Sequence, residues 1–167
     1  MKEFFHGRLK DGDDFMEFIP FSHFGTKVAA INRIKEKKSA NDNKGTPQLI
    51  TVSIEHGVNE MLKTNSDWGS NTPISLSLEL AELYEEGSRE RDIFNGINQA
   101  LLSKKGESVF GSKQKLYDEG FKLIKVELDK LKIKAIYYKN LVEDDSISVC
   151  VVDPKIIKIL KRNEINI

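Results

Sequence analysis

Cysteine is almost missing from this chain of 167 residues: Cys150 is the only one. A single thiol excludes an intramolecular disulfide and suits a reducing cytoplasm. Cys150 lies in the apolar run Ser148 to Val152 and reads as a buried strand residue rather than a nucleophile. Histidine is also scarce. His6, His23 and His56 are the three present, none is four residues from another or beside the cysteine, and a zinc site is therefore not expected. No apolar run approaches a membrane span or the core of a signal peptide, so the expected location is a cytosol and no membrane partner is expected. Neither a P-loop nor a GxGxxG run occurs, which removes the common phosphate-cradling nucleotide folds, and no nucleophile elbow supports a Ser-His-Asp triad. Charge of one sign is lacking as well: Lys+Arg and Asp+Glu are 26 each. The whole molecule therefore has no net attraction to nucleic acid or anionic lipid. The basic stretches Arg33 to Lys38 and Lys122 to Lys134 read as solvated helix faces, and nucleic acid is not expected as a partner.

What is present is an ordinary balance for a folded domain, 39% hydrophobic and 31% charged. The length suits one domain spanning 1–167 with one core. A first strand is expected over 3–6, followed by turn chemistry at Lys10 to Asp14 and an irregular stretch or short strand from Phe15 to Phe24. Thr26 can N-cap a helix carrying Val28, Ala29, Ile31 and Ile34, and Leu49 to Ile54 reads as a strand. Residues 57–68 suggest a short helix and a turn. Three helices follow: one opened by Thr72-Pro73 with the stripe Leu76, Leu80, Leu83 and Tyr84; one capped by Ser88 through Ile93, Ile97 and Leu101; and one from Ser112 with Leu116, Phe121, Ile124 and Leu131 inward. Gly120 weakens the middle of the last. Strand-like runs over 134–140, 147–152 and 156–160 close the chain. Strand, then helices, then strands implies an α+β fold.

Two short motifs place a ring and a glycine where apolar runs break: His6-Gly7, and His23-Phe24-Gly25-Thr26. A glycine at a sheet rim lets backbone N–H and C=O approach a flat ligand that a Cβ would hold off. Near the other end, Glu143, Asp144 and Asp145 fall in a turn between two strands. That turn reads either as a polar hairpin loop or as a carboxylate held at a sheet edge and facing a cleft. Asp153-Pro154 reads as a turn that ends a strand.

Together these residues resemble the ADP-ribosyltransferase fold, in the small histidine-type versions found in phage and other mobile-element polyvalent proteins. The matching residues are Phe5-His6-Gly7, His23 to Thr26 with Arg33 beyond, Tyr138-Lys139-Asn140-Leu141-Val142-Glu143, and Ser148 to Ile157 with its Asp153-Pro154. The histidine type fits better than the arginine type, because Thr51-Val52-Ser53 is a poor Ser-Thr-Ser segment and no Glu-x-Glu turn exists. The resemblance implies a split mixed β-sheet with several helices, clamping NAD as substrate. It assigns His6 to a ribose hydroxyl and the Gly7 backbone to the nicotinamide carboxamide. His23 and Phe24 would border the nicotinamide or ribose, with Gly25 and Thr26 completing the NAD-binding run. Arg8 stands where the family has a small hydroxyl residue and could take the diphosphate. Glu143 is assigned the catalytic carboxylate, with His6 as its partner in catalysis. Ser148, which the resemblance adds to the NAD-binding residues, occupies the strand position where better-known members carry the catalytic glutamate. The implied activity is transfer of ADP-ribose from NAD to a macromolecular acceptor, a protein, by a phage or bacterial effector or toxin in a bacterial or host cytosol. The rival implied by Ser148 is a catalytically inactive module of the same fold that binds or inhibits a partner. An RNA-modifying enzyme of this fold would need a basic cleft that the composition does not suggest.

Overall fold

Strand β1 (Glu3–Lys10) is buried at Phe4 and Gly7, which lie on opposite faces of the strand, and half-buried over the rest of its length beyond Glu3. It pairs antiparallel along its whole length with β3 (Thr46–Ile54), which is buried at nearly every position because it is the central strand. The last strand, β7 (Ile157–Glu164), flanks β3 on the other side, with a register shift between Thr51 and Val52. The computed structural model describes residues 2–40, 44–64, 67–68, 71–106 and 113–167.

A second sheet is built in the order β2 (Ser22–Phe24), β6 (Ser146–Val151), β5 (Ala135–Asn140), β4 (Met61–Lys63). It is mixed, because β4 runs parallel to β5 while the other pairs are antiparallel. The expected α+β class is therefore observed, with four helices and two sheets among the described residues. The core of this part is made by Phe4, Phe24, Ile50, Val52, Ala135, Val149 and Val151. Helix α1 (Lys27–Ser39) begins at Thr26, whose hydroxyl accepts from Ala29 N–H at 3.1 Å, and buries Ala29, Ala30 and Ile34.

The chain divides into two compact units, 1–65 with 133–167, and 66–132. The second unit holds helices α2 (Pro73–Glu82), α3 (Arg89–Gly106) and α4 (Lys113–Lys130). Thr72 caps α2 on Ser75 N–H at 3.2 Å with Pro73 in the first turn, as the capping signals predict. The inward stripe of α3 is Phe94, Asn98 and Leu101 rather than Ile93, Ile97 and Leu101. Asn98 can be buried because its amide donates to the Ile74 carbonyl at 2.8 Å, and Phe94 stacks on Tyr84. Helix α4 runs through Gly120 and buries Leu116, Ile124 and Leu128, while Phe121 and Leu131 are half-buried.

Several boundaries differ from expectation. β1 continues four residues past His6, because eight-residue pairing with β3 carries it through Arg8 and Lys10. His6 and Gly7 are thus inside an edge strand rather than at its end. Residues 57–68 include a strand, β4, after a 3-10 turn at Val58–Glu60. β7 extends to Glu164. Val28 is exposed and Ala30 is buried in its place. Ser112, the expected start of the last helix, lies outside the described residues.

Candidate functional site

The two sheets meet at one isolated bridge, where Phe5 and Gly25 exchange both backbone bonds at 2.9 and 3.0 Å. In an antiparallel ladder every second residue turns both polar groups to one side. Phe5 turns them away from β3, and so does Gly7, two residues on. A continuing ladder would next pair Gly7 with His23. It does not continue. The His23 carbonyl accepts the ring of His6 instead, Nδ1 to O at 2.8 Å. The sheets split there, and the N–H and C=O of Gly7, a buried residue, have no backbone partner among the described residues. Buried backbone groups are nearly always paired, so an unpaired set marks a place for a ligand or water.

The tautomer of His6 follows from that bond: a carbonyl only accepts, so Nδ1 carries the hydrogen and Nε2 presents a lone pair. The ring is packed edge-on against Phe18 and tilted against Phe24, with centroids at 5.2 and 5.6 Å. Burial lowers its pKa to about 4, outweighing the favourable bond to the His23 carbonyl, with Lys37, His23 and Arg8 adding repulsion. His6 is therefore a neutral acceptor at physiological pH. His23 in turn meets the Tyr138 hydroxyl through Nδ1 at 2.8 Å, tying β2 to β5 across β6.

Gly7 and Gly25 are glycines for packing reasons as well. A Cβ on Gly7 would lie 2.1 Å from the Ala30 carbonyl oxygen in α1, and one on Gly25 would lie 2.7 Å from Ser148 Oγ. Ser148 itself is 1% exposed, and its hydroxyl accepts from Asn140 Nδ2 at 3.1 Å. It supports the sheet beneath Gly25 and has no surface to offer a ligand in this arrangement.

The turn between β5 and β6 is shaped by Asn140. Its Oδ1 accepts from the backbone N–H groups of Val142 and Glu143 at 3.2 and 3.0 Å, which is Asx-turn chemistry. The turn is then tied to α1: Asn32 donates to the Glu143 carbonyl at 2.7 Å, and Thr26 donates to the Asp144 carboxylate, which also accepts from Ser146. Glu143 is half-buried at this junction. The structure thus gathers His6, Gly7, His23, Phe24, Gly25 and Ser148 around the split between the sheets, while Thr26 and Glu143 lie where α1 meets the β5–β6 turn.

Arg8 is already engaged. Its Nε donates to Gln48 Oε1 at 2.8 Å, its Nη2 pairs with Asp14 at 3.0 Å, and its guanidinium lies over Phe15 at 4.4 Å. Asp14, Gln48 and Phe18 are not singled out by the sequence reading, which names Asp144 only as one of the three acids of the turn. The alternation of β1 was the available signal, since it puts His6 and Arg8 on one face, but their partners depend on a register that local pattern does not specify.

Among the described residues no group of three or more His, Cys, Asp or Glu side chains is placed to hold a metal ion, and no helix is long and apolar enough to cross a membrane. Burial pushes the Cys150 thiol up, which keeps it protonated. Comparison with known proteins finds no matching protein-family profile, curated protein or solved structure.

Proposed function

We propose that this protein is an NAD-dependent ADP-ribosyltransferase acting on a macromolecular acceptor, a protein, in the manner of a phage or bacterial effector. The observation that carries the reading is the N–H and C=O of Gly7, turned away from β3 by the ladder and without a backbone partner among the described residues, beside a neutral His6 where the two sheets part. A carboxamide offers the matching acceptor and donor to a glycine backbone edge. A neutral imidazole with Nδ1–H already committed offers Nε2 to a sugar hydroxyl, which donates to it.

The chemistry assigns the rest. The bond between the nicotinamide nitrogen and ribose C1′ breaks with its electron pair leaving on the nicotinamide, and C1′ gains oxocarbenium character. A fixed carboxylate stabilises that charge and takes the proton from the attacking acceptor as the new C1′ bond forms. Glu143 is the group assigned this role, held by Asn140 and Asn32 through its backbone.

Nicotinamide release from NAD tests the reading. His6→Ala and Glu143→Gln are each expected to lower turnover by about 10²–10³, the cost of losing one preorganised electrostatic contact. Variants that match the parent rate would refute it. The buried Ser148, in the strand where better-known members of the resembled fold carry a glutamate, favours a second reading: a non-catalytic module of this fold that binds a partner. That reading predicts no nicotinamide release by the parent protein under any condition.

A further inference from the structure

The segment between β1 and β2, residues 11–21, passes over the face of the first sheet that carries His6. Alternation along β1 puts His6, Arg8 and Lys10 on that face. The register sets Gln48 opposite Arg8, and Ile50 and Arg162 in the row of His6. Three cations and an amide therefore gather on one side of a three-stranded sheet. The carboxylate in their midst belongs to Asp14: Arg8 Nη2 and Gln48 Nε2 reach it at 3.0 and 2.9 Å, and Lys10 Nζ at 3.8 Å. Lys10 also stands 3.6 Å from Glu164, the other acid at this cluster. These donor distances are ones that a phosphate oxygen would accept equally well.

Arg162 carries a second, independent signal. Its Nη2 donates to the Phe15 carbonyl at 2.7 Å, yet its Nε is buried with no hydrogen-bond partner among the described residues. A buried guanidinium N–H without an acceptor is costly, so this donor is left unmet by the protein while the guanidinium lies over Phe15 at 5.6 Å. The segment 11–21 is anchored at Asp14 and Phe15, while Met16 and Ile19 are 85% and 74% exposed. Phe18, between them, is the ring packed edge-on against His6.

We propose that this face of the sheet is an anion site for the diphosphate of a dinucleotide. Asp14 occupies it as an internal stand-in, and residues 11–21 form an autoinhibitory strap that the incoming anion displaces. Displacement lifts Phe18 from His6 in the same movement, coupling occupation of the anion site to exposure of the imidazole. The identity of the ligand as NAD rests on the function proposed above; the anion site rests on Arg8, Lys10, Gln48 and Arg162 alone. The held carboxylate is consistent with a strongly cationic setting: the Gln48 bond, then Lys10, Arg162 and Arg8, lower the Asp14 pKa.

Calorimetric titration of the full chain with inorganic pyrophosphate, and separately with NAD, tests this. Asp14→Asn is expected to tighten pyrophosphate binding roughly three- to tenfold, the scale of removing one partly exposed competing charge. Adding Arg8→Gln should remove the gain. A folded Asp14→Asn protein that binds pyrophosphate no better than the parent overturns the proposal. If that variant does not fold, the parent decides: excess pyrophosphate must shift backbone amide resonances within 11–21, and unmoved resonances overturn it. A pyrophosphate gain with no NAD binding keeps the anion site and dismisses NAD as its ligand. Nicotinamide release by the parent without any pyrophosphate gain in Asp14→Asn keeps the enzyme and dismisses the stand-in.

Discussion

A methyl group at position 25 would sit 2.7 Å from Ser148 Oγ and 3.2 Å from the Ala29 methyl. The first contact is with a side chain that can be removed; the second is with α1. Gly25→Ala is therefore expected to destabilise the protein by about 1–3 kcal/mol, as overpacked cores do. Adding Ser148→Gly should return part of that loss even though Ser148→Gly alone also strips Asn140 of an acceptor. Urea midpoints of the two single variants and the double variant measure the coupling, and strict additivity would mean that Ser148 is not what requires the glycine. The same cycle bears on function. If Ser148 acts only as packing under Gly25, the single Ser148→Ala change, which keeps the shape, should leave nicotinamide release near the parent rate.

Helix α1 shows how one residue can serve an element and a site together. Thr26 accepts from Ala29 N–H and donates to Asp144, so its hydroxyl joins the start of the helix to the β5–β6 turn that carries Glu143. Thr26→Ala is expected to cost about 1 kcal/mol as a lost N-cap and to lower turnover further by freeing the turn, whereas Thr26→Ser should restore both. Stability curves and nicotinamide release on the same samples would separate the two effects, since a cap alone moves only the first. The cap was legible in the sequence because it is local: hydroxyl, then helix former, three residues apart. So were Thr72-Pro73, the aliphatic run of β3 and the turn at Asp153-Pro154. The three-residue strand β4 was not, because Met61–Lys63 is a strand only through parallel pairing with β5, more than seventy residues later. The continuation of β1 to Lys10 was hidden for the same reason. The site follows this division. His6, Gly7 and the His23 to Thr26 run could be found as motifs, but the interception of the His23 carbonyl by His6 and the Asp14 contact to Arg8 come from register between distant strands.

At the scale of the molecule, these buried and paired groups write themselves into the pH dependence of stability. With 26 basic and 26 acidic side chains, the chain has no large net charge at neutrality to repel itself, so the profile should report particular groups. His6 has a folded-state pKa of about 4 against an unfolded value near 6.5. Between those values the unfolded chain binds a proton that the folded protein refuses. The stability is therefore complete above about pH 6.5 and falls as pH drops towards 4, at a slope of at most about 1.4 kcal/mol per pH unit for one proton. Asp14 and Glu60 act in a lower window. Their carboxyl groups are held below the usual range, Asp14 first by Gln48 and Glu60 first by Lys134, so what they contribute is lost only as pH falls through those depressed values. Two limbs are expected in the acid profile, and one substitution separates them. His6→Asn keeps an N–H donor for the His23 carbonyl but cannot titrate. It should flatten the urea midpoint between pH 6.5 and 4 while leaving the steeper loss at lower pH in place. If the parent and His6→Asn decline in parallel through the upper window, the imidazole is not held neutral by the fold, and the ring that the proposed site needs as an acceptor would be charged instead.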